Sequence, residues 1–326
     1  MPSATTRRAA LSLPGAMALP LPGRAQGFPD RPVSIVVPYA PGGPIDVLAR
    51  VMAPEMSVVL GQPVTIDTRP GAGGNVGAAY VAQAARADGH TLLLTGAGLA
   101  SSVSLAALTF DPVRELTPLA GVGAIPSLLV VSPQSPYQNL PQLLAAARAA
   151  PGTISYGSSG PGTGSHLSGA LLAAAAGVDL LHVPYRGSAA VYPDLIAQRI
   201  TMLLDVMASA IGQVRQGAVR ALAITSARRS DVLADVPTIA EQGIAGYDFD
   251  TWTGFFVRAG TNETAIRRLE AAVLHALQTA SVRERLRISA AQPMPADAAG
   301  FGAYFRDDVE RWARMLREGR LQRVDG

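Results

Sequence analysis

The chain has 326 residues, 27 Lys plus Arg against 24 Asp plus Glu, and a pI of about 9.5. Every basic residue is arginine, and Arg7, Arg8 and Arg24 fall in a first stretch of 26 residues that holds no acid, so the rest of the chain is neutral and has no basic surplus for nucleic acid or anionic lipid. Without Lys there is no Walker-type phosphate loop or Schiff base, and without Cys there is no thiol nucleophile, disulfide, thiolate zinc site or iron–sulfur cluster.

Residues 1–25 read as an export signal. Arg7-Arg8 give a basic start, 9–22 is mostly apolar and uncharged, and Gly23-Arg24-Ala25 places small residues where a signal peptidase needs them, with cleavage after Ala25. The paired arginines resemble a twin-arginine signal, although Arg-Arg alone does not separate that route from general export. No membrane span is expected beyond it. The uncharged stretch 89–110 is rich in Gly, Ser and Thr and reads as loop, and 116–147 is broken by prolines at 118, 126, 133, 136 and 141.

Short β-branched runs then alternate with helical stretches. A strand over 33–37 leads into a helix over 45–60, which Pro54 should kink or split. A strand over 64–66, a helix over 75–86 and a strand over 91–95 complete a βαβαβ unit, which implies a parallel sheet with helices on its faces. The pattern restarts with a strand over 127–132, a helix over 139–149, a strand over 153–157 and a helix over 163–176. Strands follow over 178–183, 200–204, 219–225 and 248–257. Thr261 should cap a helix running to 278, and Ser281 with Glu284 forms a capping-box pattern for the next. The last helix, 297–318, carries Phe301, Phe305, Val309, Trp312 and Leu316 on one face, and Gly319 ends it. Val37-Pro38-Tyr39 and Val183-Pro184-Tyr185 each close a strand before a glycine-containing turn, a faint echo that two similar lobes would explain.

The chemistry sits in three glycine-rich turns between strands and helices. They are Tyr39-Ala40-Pro41-Gly42-Gly43-Pro44-Ile45-Asp46, Gly71-Ala72-Gly73-Gly74-Asn75-Val76-Gly77 and Ser158-Ser159-Gly160-Pro161-Gly162-Thr163-Gly164-Ser165-His166. Helix N-termini offer unpaired N–H groups and partial positive charge, and glycine lets a ligand approach the backbone. Three such turns point to a small anion held largely by backbone amides. Asp46 suits the first turn of its helix and reads as structural. Arg186 either pairs with a substrate carboxylate or is a solvated surface arginine. Asp205 either caps the following helix or lines the cleft. His166 reads as a hydrogen-bonded core histidine, since its neighbour Ser165 points about 100° away on the helix. Trp252 reads as packing. None of the four histidines, His90, His166, His182 and His275, pairs with another at metal-ligand spacing, and no cofactor or metal is expected.

These segments, in this order, resemble the Bug family of periplasmic solute-binding proteins, receptors of tripartite tricarboxylate transporters. The resemblance rests on Phe28-Pro29-Asp30-Arg31-Pro32, Val36-Val37-Pro38-Tyr39-Ala40-Pro41-Gly42-Gly43 with Asp46, and Arg69-Pro70-Gly71-Ala72-Gly73-Gly74-Asn75. It continues through Asp88-Gly89-His90-Thr91-Leu92, Tyr156-Gly157-Ser158-Ser159-Gly160, His166-Leu167, His182-Val183-Pro184-Tyr185-Arg186-Gly187, Asp235-Val236-Pro237-Thr238 and Gly260-Thr261.

The resemblance implies an α/β, two-lobed periplasmic binding protein fold of type II-like form. Two mostly parallel sheets, flanked by helices, would enclose a ligand cleft between the lobes. Residues 26–126 and 247–326 would build the first lobe and 127–246 the second. It implies a non-catalytic, monomeric receptor for a small organic carboxylate, with a membrane permease of the tripartite tricarboxylate type as partner and no nucleic acid. Carried over by motif, the contacts are Tyr39, Pro41, Gly42, Gly43, Gly74, Asn75, Ser158, Thr163, Ser165, Tyr185 and Asp205, to which the residue reading adds Arg186. Ile45 stands where the family often has a small or hydroxylated residue, which favours a less polar ligand. Ser289-Ala290-Ala291-Gln292-Pro293 lacks the family's usual glycine. The alternatives are a ligand-sensing component that docks on a membrane receptor, and an α/β enzyme. The latter lacks a G-x-S-x-G elbow and has Val76 where a dinucleotide turn needs its third glycine.

Overall fold

The computed structural model describes residues 27–292, 294, 296–319, 321 and 323. The expected export signal, with its expected cleavage after Ala25, lies outside the described residues.

Strands β1 (Val33–Val37), β2 (Val64–Thr68) and β3 (Thr91–Gly96) pair in parallel in the order β2-β1-β3. The helix Pro44–Leu60 joins the first two and buries Leu48, Met52, Met56 and Leu60. Pro54 removes one helical donor, yet the helix runs unbroken for 17 residues and ends at Gly61 in the left-handed region. The helix expected over 75–86 is shorter. Asn75–Ala79 is α-helical and Tyr80–Ala84 continues as a π turn. Residues expected to form a loop after β3 form an eight-residue helix, Gly98–Leu105, whose small residues Ala100, Ser101 and Ser102 are buried.

Strand β4 (Leu116–Val131) is 16 residues long, and only its second half was expected. Prolines at 118 and 126 sit inside it, and the register shifts beside Pro118 and again between Gly121 and Gly123. These irregularities are how a strand accommodates residues that cannot donate to a ladder.

Beyond β4, β5 (Ser155–Ser158), β6 (Leu181–Pro184) and β7 (Met202–Val206) pair in parallel. Strands β8 (Arg220–Ile224) and β7 both pair antiparallel with the second half of β4. Strand β9 (Asp250–Arg258) returns to lie antiparallel between β3 and the first half of β4. The expected parallel pairing thus describes the strands flanked by crossover helices. Strand β4 pairs in both sheets, with β9 in the first and with β7 and β8 in the second, and these pairings, like that of β9 with β3, are antiparallel.

The last helix, Ala298–Arg317, lays Phe301 and Phe305 on β9, where Trp252 meets them edge-on at 5.6 and 6.0 Å, and Trp312 against Phe249 just before it. Such edge-to-face pairs add to the area they bury, and Trp252 is a fully buried packing residue. Two caps differ from the sequence reading. Asn262, not Thr261, accepts the Ala265 N–H at 2.9 Å. Ser281 donates to Glu55, while Glu284 pairs with Arg287, so no capping box forms. In the first case the neighbouring amide takes the donor; in the second the helix starts one residue before Ser281, with Thr279 at its N-cap position.

Candidate functional site

The end of β1 feeds the first glycine-rich turn. Gly42 adopts φ +80°, a conformation that glycine reaches without strain. Its N–H donates to Asp46 Oδ2 at 2.8 Å, and the Gly43 N–H donates to the Ala40 carbonyl at 3.3 Å. Asp46 is buried and also accepts Arg50 Nε and Nη2 at 2.9 and 3.0 Å. The hydrogen bond from Arg50 holds the Asp46 carboxyl below the usual carboxylate range. Asp46 therefore organises the turn, and the amides of Gly42 and Gly43 are already used. The first-turn N–H groups of Ile45 and Asp46 have no partner among the described residues.

The second turn lies against the first. Gly71, Ala72, Gly73 and Gly74 all have positive φ, which folds the backbone tightly enough for Gly74 to sit under the Tyr39 ring. A Cβ at Gly74 would come within 3.2 Å of that ring. Tyr39 Oη lies 3.2 Å from Thr95 Oγ1 at the end of β3, and burial pushes its pKa up. Pro41 is exposed and Asn75 half-buried.

The third turn follows β5 and is the most polar. Ser159, Thr163 and Ser165 form a ring of hydroxyls with separations of 3.0, 2.8 and 3.1 Å. Ser158 Oγ is buried, 2.7 Å from His182 Nε2, and accepts the Gly160 N–H at 3.1 Å. The Gly162 N–H donates to His166 Nδ1 at 3.1 Å. His166 and His182 pack with ring centroids 4.3 Å apart and planes tilted by 32°. Burial, with the neighbouring His182, pushes His166 down to about 4, and burial lowers His182 too. Both are neutral at physiological pH. The first-turn N–H groups of Gly164, Ser165 and His166 in the helix Gly164–Ala176 take no partner among the described residues.

Two backbone hydrogen bonds tie the chain after β6 to this turn. Tyr185 N–H donates to the Ser158 carbonyl at 2.9 Å and Gly187 N–H to the Ser159 carbonyl at 3.2 Å. Arg186 stands between them, exposed and without an ion-pair partner among the described residues. Tyr185 Oη donates to Asp194 at 2.7 Å, and its pKa is pushed up to about 12, first by burial and then by that carboxylate. Asp205, fully buried at the end of β7, accepts Ser188 Oγ at 2.7 Å, Tyr192 Oη at 2.8 Å and the Val206 N–H at 3.0 Å. Burial pushes its pKa up to about 6. Its oxygens hold the short turn Ser188–Ala190 in place.

The turns of the two sheets meet at a seam. A Cβ on Gly73 would lie 2.8 Å from the Pro161 carbonyl oxygen, and one on Gly98 would lie 2.7 Å from that of Gly162. A Cβ on Gly164 would lie 2.6 Å from Thr251 Oγ1, a buried hydroxyl with no hydrogen-bond partner among the described residues. Gly96, Gly98, Thr251 and His182 were not among the site residues expected from sequence, although His182 opens one of the motifs that carry the resemblance. The signal available was Thr95-Gly96-Ala97-Gly98, a fourth glycine turn between a strand and a helix. Among the described residues no cluster of three or more His, Asp or Glu could hold a metal ion, and no helix is long and apolar enough to cross a membrane.

Two α/β sheets joined by the long strand β4, with polar helix starts from both meeting at one seam, define a two-lobed binding protein of the periplasmic type. The family model described as "Tripartite tricarboxylate transporter family receptor" matches residues 48–321, and the chain belongs to that family. A UPF0065 protein from a Pseudomonas species is 39% identical over 91% of this chain and 89% of its own length. Among solved structures, the periplasmic binding protein BugD is 30% identical, with a TM-score of 0.83 over 91% of this chain and all of its own. MatC from Rhodopseudomonas palustris, with bound malate, is 33% identical with a TM-score of 0.82 over 89% of this chain and all of its own. A second R. palustris protein, with adipate, is 32% identical with a TM-score of 0.82 over 89% of this chain and 97% of its own. Proteins of this family are periplasmic solute-binding receptors, and the chain is a binding protein, not an enzyme.

Proposed function

We propose that the chain captures a small organic carboxylate between its two lobes and delivers it to a membrane permease of the tripartite tricarboxylate type. The observation that carries this reading is the polar start of the helix Gly164–Ala176. Its free N–H groups and a ring of three hydroxyls lie across the seam from the turns of the other sheet. An anion there gains from several partial charges at once without a buried countercharge. The bound malate and adipate of the two similar R. palustris proteins support the same ligand class. Ile45, whose Cδ1 would lie 3.5 Å from a Cβ on Gly96, gives that wall an apolar face and favours a less hydroxylated acid.

In this reading the lobes divide as 26–126 with 247–326, and 127–246. In support, β4 changes partner from β9 at Pro126 to β7 at Ser127. Thr163 and Ser165 supply hydroxyls and Arg186 the single charge. Tyr39, Pro41, Gly42, Gly43, Gly74 and Asn75 shape the facing wall. Ser158, Tyr185 and Asp205 hold their loops in position. The protein is exported, loses its signal after Ala25 by the general or twin-arginine route, and acts in the periplasm as a monomer.

Calorimetry of residues 26–326 against malate, adipate, tricarboxylates and aromatic acids tests the reading. Saturable binding of at least one acid is the expected result. Binding of none, by protein that melts cooperatively, would overturn it. Pull-down of the liganded chain on permease membranes, against a sensor's receptor domain, separates transport from signalling.

A further inference from the structure

The seam contains glycines whose own backbone does not call for glycine. Gly73 has φ +65°, so its turn alone accounts for it. Gly98 and Gly164 are different. Each is the first residue of an α-helix, and neither has a positive φ. An alanine at either position would be better for the helix than glycine is.

What a side chain would meet lies across the seam. A Cβ on Gly98 comes within 2.7 Å of the Gly162 carbonyl oxygen, with the Gly73 carbonyl oxygen next at 3.5 Å. The Gly162 oxygen is backbone, in a turn fixed by the bond from its own N–H to His166, so it cannot swing aside as a side-chain tip can. A Cβ on Gly164 comes within 2.6 Å of Thr251 Oγ1 and 3.1 Å of its Cγ2. Thr251 stands on β9, opposite Ile125, one residue pair from the point where β4 leaves β9. Gly98 therefore meets backbone of the facing lobe, and Gly164 meets the Thr251 side chain on the junction strand β9.

We infer that Gly98 and Gly164 are positioning residues for ligand capture: their bare backbones set how far the lobes close. This rests on the interlobe carboxylate reading above. A ligand held by amides of both lobes needs those amides within hydrogen-bond reach of one small molecule. A side chain that keeps the lobes apart lowers the fraction of binding-competent molecules, and apparent affinity falls by that fraction.

The test uses Gly98→Ala and Gly164→Ala in residues 26–326, with malate and adipate as probes. Both variants should melt at or above the wild-type temperature, because each gains helix propensity. Each should bind the acid that wild type binds about tenfold or more weakly, equivalent to about 1.4 kcal/mol. Small-angle scattering should give a larger radius of gyration with saturating acid than wild type shows. Thr251→Ala should restore affinity to Gly164→Ala, since removing Oγ1 and Cγ2 leaves the Thr251 Cβ at an ordinary contact of 3.4 Å. It should not restore Gly98→Ala. Unchanged affinity in both single variants overturns the inference and leaves the carboxylate reading intact. If wild type binds neither of these nor any other acid of the calorimetric series, that reading fails on its own, and scattering without ligand still decides the inference. Equal radii for wild type and both variants would then overturn it.

Discussion

The Asp46 carboxylate accepts the N–H of Gly42 at 2.8 Å, and with the Arg50 guanidinium bridging both its oxygens it locks the first glycine-rich turn from within. The turn's shape is therefore set before any ligand arrives. Gly42 can adopt its left-handed φ, and Asp46 rewards that conformation with a charge-assisted bond.

Asp46→Ala should cost about 2 kcal/mol of stability, the scale of hydrogen bonds to a buried charge. Its sign with pH follows from the lowered pKa. The contribution is complete above the ordinary carboxylate pKa and is lost as pH falls through the lower, folded value. Urea unfolding midpoints at pH 7 and pH 3 would check this. The gap between wild type and Asp46→Ala should shrink at the lower pH, and a constant gap would count against the carboxylate's role.

His166 has the opposite charge logic. Its folded pKa, about 4, lies below the ordinary value of 6.5, so the unfolded chain takes up the proton first. The stability that the neutral ring provides is complete above about pH 6.5 and is lost as pH falls towards 4. Protonation also removes the acceptor of the Gly162 N–H. His166→Asn keeps an acceptor near the Nδ1 position without titrating. Melting temperatures from pH 7 to pH 4 should fall less steeply in this variant, with a wild-type loss of ~3 kcal/mol at most. Identical slopes would show that His166 is not neutral in the folded chain.

Much of this was readable in the residues. The strand over 33–37 coincides with β1, the three glycine turns stand between strands and helices as expected, and the order of motifs identified the family. Composition misled where small residues replace the usual signals. The helix Gly98–Leu105 carries Gly, Ala and Ser because it is packed under neighbours, so it reads locally as loop. The first half of β4 is punctuated by Pro118, Gly121 and Gly123, which mark register shifts within the strand rather than its absence. At the site, sequence identified the turns but not the allocation of donors. Whether Gly42 offers its N–H to a ligand or to Asp46 depends on a contact four residues away that no spacing rule specifies.

Asp250 lines a hollow of about 210 Å³ at the junction with Asp248, Gln292, Tyr304 and Arg311. Its Oδ1 is buried without a hydrogen-bond partner among the described residues. Burial first, and then the neighbouring Asp248, pushes its pKa up to about 7. Here the folded chain holds the proton more tightly than the unfolded chain does. The stability linked to that proton is complete below about pH 4 and is lost as pH rises through 7. Asp250→Asn mimics the protonated form, so it should be more stable than wild type at pH 8 by up to a few kcal/mol and nearly equal at pH 3, below both pKa values. Calorimetric melting at both pH values measures this, and a variant less stable than wild type at pH 8 would show that the carboxylate has a partner there.

Replacing Arg186 decides between the two roles open to it. Backbone bonds from Tyr185 and Gly187 pin its neighbours to the carbonyls of Ser158 and Ser159, so its Cα is fixed beside the hydroxyl ring while its side chain stays exposed and free of ion pairs among the described residues. A guanidinium in that position can steer and grip a carboxylate bidentately, and its reach from a fixed backbone keeps the entropy cost low. Arg186→Ala should weaken malate or adipate binding by about tenfold to a hundredfold, the range set by hydrogen bonds to a charged partner. It should also flatten the dependence of the association rate on salt, since the steering charge is gone. Arg186→Lys should keep the salt dependence but recover only part of the affinity, because a point charge cannot make the paired bonds. Stopped-flow association rates at two ionic strengths, with calorimetric affinities, separate these effects. A solvated surface arginine would leave both unchanged in Arg186→Ala, and the anion would then be held by the amides and hydroxyls of the third turn alone.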